Sequence, residues 1–147
     1  MVEDGIPVEI IIEIGQPYLE EISKVSPPLG DEALIVTQPI QKVRGTSLGY
    51  TENDFLKLVL KALKSSNKST KLNITFHPES GTHLIHKDFN DVKKGLSDID
   101  IKNSKYVLGM FSMQMVIAFL WGRKVASIQP GLIGEDPSPL SRWGIIP

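Results

Sequence analysis

The feature that most constrains this chain is a series of short apolar runs separated by segments with helical spacing. Residues 33–37 (ALIVT) form an unbroken apolar run, the pattern of a strand covered on both faces. Residues 72–76 (LNITF), 106–110 (YVLGM) and 124–128 (KVASI) repeat the theme. Between the first two, Phe55, Leu56, Val59, Leu60 and Leu63 share one helical face, and Thr51 with Glu52 and Asp54 supplies a helix start. Lys57, Lys61 and Lys64 fall on the other side and read as a solvated helix face. A second helix is expected over 112–121, entered at Ser112 and closed by Gly122. Strand, helix and strand in alternation predict an α/β fold: a Rossmann-like parallel sheet with helices on both faces.

The remaining segments are less strongly patterned. Residues 8–14 (VEIIIEI) predict a strand, 18–24 a short helix, and the Pro27-Pro28 stretch over 26–31 a linker. Residues 38–50 read as a loop, 82–94 carry little pattern, 96–104 fit a short helix, and 138–143 fit another. The expected organisation is therefore a strand, short helix and linker at 1–31 and a compact domain at 32–147.

With 147 residues, the chain is long enough for one domain and its own core. Its 16 basic and 17 acidic side chains leave a net charge of −1, which gives no global attraction to nucleic acid or an anionic membrane. The absence of cysteine excludes disulfides, thiolate metal sites and a cysteine nucleophile. The acidic start, Glu3-Asp4, is unlike a signal peptide, so the cytoplasm is the expected location. The uncharged stretch 106–122 approaches membrane-spanning length, but Gly109, Ser112 and Gln114 divide it, and no membrane span is expected.

In a parallel sheet, ligands sit at the carboxyl ends of the strands. Those ends carry Gln38-Pro39, His77-Pro78-Glu79, Gly109-Met110-Phe111-Ser112 and Gln129-Pro130-Gly131. Gly109 would permit a tight turn, and Ser112 at a helix start would expose amide donors to an anion. His77 could donate a hydrogen bond to the same phosphate, or a proton to a departing phosphate oxygen. The plainer alternative is that Ser112 caps its helix and His77 is a turn residue before a proline.

Two other patterns carry less chemistry. Gly45-Thr46-Ser47-Leu48-Gly49 matches a nucleophile elbow, but Pro39 and Lys42-Val43-Arg44 separate it from the preceding strand. His77, His83 and His86 do not share one helix face and have no carboxylate placed with them, so no metal site is expected.

Taken in order, several of these segments carry a family resemblance. Gly5-Ile6-Pro7, Ile11-Ile12 and Gly15-Gln16-Pro17-Tyr18 resemble the crossover between the two halves of GT-B-type glycosyltransferases. Ile35-Val36-Thr37-Gln38-Pro39, Leu48-Gly49-Tyr50-Thr51-Glu52, His77-Pro78 and Leu108-Gly109-Met110-Phe111-Ser112 resemble successive landmarks of surface-polysaccharide members. Val125-Ala126-Ser127-Ile128-Gln129-Pro130-Gly131-Leu132 continues the series. The resemblance implies the C-terminal, nucleotide-sugar-binding half of such an enzyme, a single GT-B half-domain related in fold to UDP-N-acetylglucosamine 2-epimerase and bacterial sialyltransferases.

In that family the His-Pro pair and the serine at the helix start hold nucleotide phosphates. The implied phosphate-binding set here is His77, Pro78, Gly109, Phe111, Ser112 and Gln38. A glutamate usually follows that serine by five or six residues; here Ile117 and Ala118 stand there. Ribose or sugar contacts would then come from Gln129, Gly131, Glu135 and Asp136. The basic residue often found before His-Pro is also replaced, by Thr75 and Phe76. The resemblance implies no cofactor, a nucleotide-sugar as substrate or ligand, and an acceptor half supplied by another polypeptide or by self-association. On this reading the chain alone is not a competent transferase. A non-catalytic nucleotide-binding or protein-interaction module of the same fold is the alternative, with a serine hydrolase centred on Ser47 the more distant one.

Overall fold

The computed structural model describes residues 16–65, 71–79, 91–94 and 98–146. The strand expected at 8–14 lies outside the described residues, as do His83 and His86. Five strands form one parallel sheet: β1 (Glu32–Val36), β2 (Leu72–Phe76), β3 (Asp91–Lys94), β4 (Ser104–Gly109) and β5 (Lys124–Ser127). Their order is β3-β2-β1-β4-β5. The chain therefore builds outward from β1 to β3, then returns to the other side of β1 for β4 and β5. In β1, Ile35 sits opposite Ile74 on one side and Leu108 on the other. This reversal places the topological switch point between β1 and β4, where neighbouring connections leave in opposite directions and open a crevice.

Helices α1 (Pro17–Ser23), α2 (Ile40–Arg44), α3 (Glu52–Ser65), α4 (Asp98–Lys102), α5 (Met113–Leu120) and α6 (Pro139–Arg142) complete the described elements. One face of the sheet packs Ile35 and Ile74 against Phe55, Leu56 and Val59 of α3, with Ile40, Tyr50, Phe76 and Met110 around them. The other packs Leu34, Val36 and Val107 against Ile22 of α1, Ile101 of α4, and Ile117, Ala118 and Trp121 at α5. Alternation along β1 thus feeds two cores, which is why its sequence is apolar at every position from Ala33 to Val36. Phe55 is fully buried, so Phe55→Ala should cost about 3–5 kcal/mol. The fold is α/β and Rossmann-like, with helices on both faces.

Local signals explain the best-defined ends. The Thr51 hydroxyl and backbone N–H both donate to the Asp54 carboxylate, and the Asp54 N–H returns a bond to the Thr51 hydroxyl, forming a capping box for α3. At the far end of α5, the Arg123 N–H bonds Ala118 O and the Gly122 N–H bonds Phe119 O. Gly122 takes a φ of 72°, which completes a Schellman motif. The uncharged 106–122 stretch is thereby divided between β4 and α5. No helix among the described residues is long and apolar enough to cross a membrane.

Three elements differ from expectation. The 38–50 segment contains α2, a five-residue helix whose Gln41 N–H is satisfied by Glu52 Oε2, 2.9 Å away. A first-turn donor capped by a side chain from the next helix leaves no local signature. Residues 91–94 form the edge strand β3, where an apolar alternation is not required. Strand β4 begins at Ser104, buried with its hydroxyl donating to Asp100 O at 2.6 Å, two residues before the apolar run.

The segment 16–31 is held against the sheet. The Trp121 indole N–H donates to Ile22 O, and the buried Arg123 guanidinium donates to the carbonyls of Pro27 and Pro28. At Gly30 the backbone passes so close to Asn103 that a Cβ would lie 1.8 Å from its carbonyl oxygen.

Candidate functional site

The first turn beyond β1 and the first beyond β4 meet across the switch point. Gln38 follows β1, and its Oε1 accepts the Phe111 N–H at 3.1 Å. The reversed amide would bring two donors together, so this bond fixes the side chain, and among the described residues its Nε2 hydrogens are unspent. His77 follows β2, is exposed, and accepts the Glu79 N–H on Nδ1 at 3.2 Å. With Nδ1 accepting, the ring N–H of His77 is the one on Nε2. Both side chains are therefore oriented by backbone donors, and among the described residues both keep a donor unpaired.

These residues open onto one cavity of about 290 Å³. Pro39, Ile40, Val43 and Phe111 give it apolar walls, while Gln38, His77, Arg44 and Glu79 give it polar groups. It lies at the carboxyl ends of β1, β2 and β4, the edge at which doubly wound sheets bind ligands. Lys42 Nζ lies 3.3 Å from Glu79 Oε2, so the acidic group at the rim is neutralised by α2. Of the residues expected to bind phosphate, Gln38, His77 and Phe111 are brought together here.

Pro78, Gly109 and Ser112 do not line this cavity. Pro78 is exposed in the turn after β2. Gly109 is buried, and a Cβ there would lie 2.7 Å from Met115 Sδ. The glycine lets α5 approach β4 closely, directly before the chain bends at 110–111. Ser112 is the N-cap of α5, its hydroxyl accepting the Gln114 N–H at 3.2 Å. The cap expected of Ser112 is thus formed. The residues sequence reasoning missed are Ile40, Val43 and Arg44, all on α2. The basic pair Lys42 and Arg44, several residues past the end of β1, was the available signal.

A second polar cluster occupies the far side of the carboxyl edge, and its members are joined to one another. The Tyr50 hydroxyl donates to Gln129 Oε1 at 3.2 Å. Gln129 Nε2 donates to Ser127 Oγ and to Asp136 Oδ1, and Asp136 Oδ1 also accepts the Ser138 N–H at 2.7 Å. The Ser127 hydroxyl donates to Met110 O. Burial pulls the Asp136 carboxyl upward, but the bonds from Gln129 and Ser138 outweigh it and hold it below the ordinary carboxylate range. Burial, with a smaller contribution from Asp136's charge, pushes the Tyr50 phenol upward and keeps it a donor. Gln129 and Asp136, expected as ribose or sugar contacts, are therefore engaged within this network. Gly131 and Glu135, from the same expected set, are exposed on the loop that it braces.

The Ser47 pattern does not form an elbow. It follows helix α2, not a strand, and the exposed Ser47 hydroxyl donates to Arg44 O at 2.8 Å. Among the described residues, no group of three or more His, Cys, Asp or Glu side chains is gathered for a metal ion.

No family model matches the chain, and no curated protein matches its sequence. Among solved structures, the chain is similar to KpsC of Thermosulfurimonas dismutans, a beta Kdo 2,7 transferase, with a TM-score of 0.49 and 17% identity. The match covers 74% of this chain and 38% of that one, so the chain spans well under two thirds of the neighbour's length.

Proposed function

We propose that this chain is a nucleotide-sugar-binding domain of a glycosyltransferase-like protein, with the ligand's phosphate held at the β1–β2–β4 cavity. One observation carries the reading. Gln38 and His77 are each fixed by a backbone N–H, and each is left with N–H donors at the same cavity. Donors aimed in advance at an anion cost little reorganisation when it arrives or when charge develops on it. His77 Nε2–H and the Gln38 amide would bond phosphate oxygens, and the apolar wall of Pro39, Val43 and Phe111 would face the less polar part of the ligand. The ordered resemblance of the strand-end motifs to surface-polysaccharide glycosyltransferases supplies the sugar-nucleotide class.

These residues bind and orient; none of the described lining groups is placed as a general base. Glu79 is paired with Lys42, and His77 Nδ1 is engaged by Glu79's N–H. That favours, as the second reading, a nucleotide-binding module whose catalytic partner surface comes from another polypeptide or a second copy. Sizing chromatography of the chain alone and with a candidate partner tests that part.

Thermal unfolding with millimolar CMP, CDP, UMP, UDP and GDP and their sugar conjugates tests the binding itself. A ligand at about 100 times its Kd adds roughly 2.7 kcal/mol, a rise of several degrees for a domain of this size. We expect at least one nucleotide to stabilise the wild type and to lose that effect on His77→Ala. If no nucleotide shifts the wild type, the nucleotide reading is wrong.

A further inference from the structure

We infer that Arg44 is a second anion contact of this cavity and makes it prefer a ligand with two adjacent anionic groups, a nucleoside diphosphate over the monophosphate. The inference rests on the nucleotide reading above and goes beyond it, because neither the strand-end motifs nor the resemblance includes this residue.

Arg44 occupies the last turn of α2 and lines the cavity with His77 and Gln38. Its position is set by the fold, since Ile40 is buried to 1% exposure at the start of the helix and Glu52 straps the Gln41 N–H. Charge accounting then singles it out. Lys42, on the same helix, is paired with Glu79, so those two charges cancel at the rim. His77 and Gln38 contribute hydrogen-bond donors. The uncompensated charge of the lining is the Arg44 guanidinium, for which no side-chain hydrogen bond or ion pair occurs among the described residues.

A guanidinium presents a planar fork of donors that matches two oxygens of a phosphate. One phosphate bonded by His77 and Gln38 from the strand ends leaves the α2 fork for a neighbouring anionic group. The alternative is that Arg44 merely complements the carbonyl end of α2. A role of that kind would change stability and leave ligand preference untouched, so the two are separable by binding.

The experiment is calorimetric titration of the full chain with UMP, UDP, CMP and CDP, and with inorganic phosphate and pyrophosphate, on wild type, Arg44→Gln, Arg44→Lys and His77→Ala. Wild type should bind each diphosphate about tenfold or more tightly than its monophosphate, and pyrophosphate more tightly than phosphate. Arg44→Gln should reduce that preference to about twofold or less by weakening diphosphate binding much more than monophosphate binding, and Arg44→Lys should restore part of it. His77→Ala should instead weaken both members of each pair. A diphosphate preference that survives Arg44→Gln, or an equal loss for mono- and diphosphate, overturns the Arg44 inference and leaves the nucleotide site standing. Failure of every nucleotide and both inorganic anions on the wild type overturns the two together. Because Arg44 is exposed, unliganded melting of Arg44→Gln should match wild type, and the pyrophosphate-to-phosphate ratio on wild type reads the preference without any variant.

Discussion

The two sides of the sheet's carboxyl edge use similar residue types to opposite ends. Beyond β4 and β5, Tyr50, Ser127, Gln129 and Asp136 are bonded to one another and to the backbone, and the 128–138 loop is stitched down. Beyond β1 and β2, Gln38 and His77 each make one orienting bond and face a cavity with donors remaining. The difference teaches how to tell scaffold from site among polar residues at strand ends. A group whose hydrogen-bonding capacity is filled internally fixes a loop; one that is oriented but unfilled is prepared for a ligand.

The most forceful way to probe the closed side is Gly49→Ala. Gly49 has a φ of 79°, and a Cβ there would lie 2.5 Å from Gly131 O. Strain plus overpacking should cost on the order of 3 kcal/mol in denaturant unfolding. A near-neutral result would mean that the two loops are not locked together. Gln129→Ala comes next, leaving the buried Tyr50 hydroxyl and the Asp136 carboxylate without their shared partner. About 2 kcal/mol of destabilisation is expected, with nucleotide binding retained. Loss of ligand response at unchanged stability would move Gln129 into the site and break the comparison.

A smaller effect follows from Asp136, whose folded-state carboxyl titrates below its ordinary value. The stability that this contributes is fully present above the unfolded value, near pH 4, and is lost as pH falls through the folded value. The stability difference between wild type and Asp136→Asn should therefore hold from about pH 7 to about pH 5 and narrow below about pH 4. A gap independent of pH would show that the carboxylate's charge contributes nothing. On the open side the expected stability change for His77→Ala is small, within about 0.5 kcal/mol, because His77 is exposed. Its effect should appear in ligand response alone, and a large loss of unliganded stability would place His77 among the structural groups.

Much of the scaffold was legible because its causes are local. The bounds of β2 coincide with the LNITF run, and β1 with ALIVT to within one residue. The Thr51 start of α3 and the Ser112 and Gly122 ends of α5 follow from capping chemistry. Helix α2 was not legible, since five residues give too little periodicity and its first-turn cap arrives from Glu52. Gly109 shows a related point: a small residue at a strand end serves a turn and a close helix equally well, and only Met115's placement reveals the second use.

The candidate site was half legible. Gln38, His77 and Phe111 could be named as strand-end residues, whereas Arg44 could not, because its relevance depends on where α2 settles. The amino-acid sequence by itself determined the alternation of strand and helix, the two-faced burial of β1 and the set of polar residues at the carboxyl edge. These follow from hydrophobic period and capping, which act over a few neighbouring residues. Tertiary structure alone decided which of those polar residues are consumed and which stay open to a ligand. The deciding bonds, Phe111 N–H to Gln38 and Tyr50 hydroxyl to Gln129, join residues 73 and 79 positions apart. Such partners meet only after the strand order β3-β2-β1-β4-β5 has brought their loops to one edge.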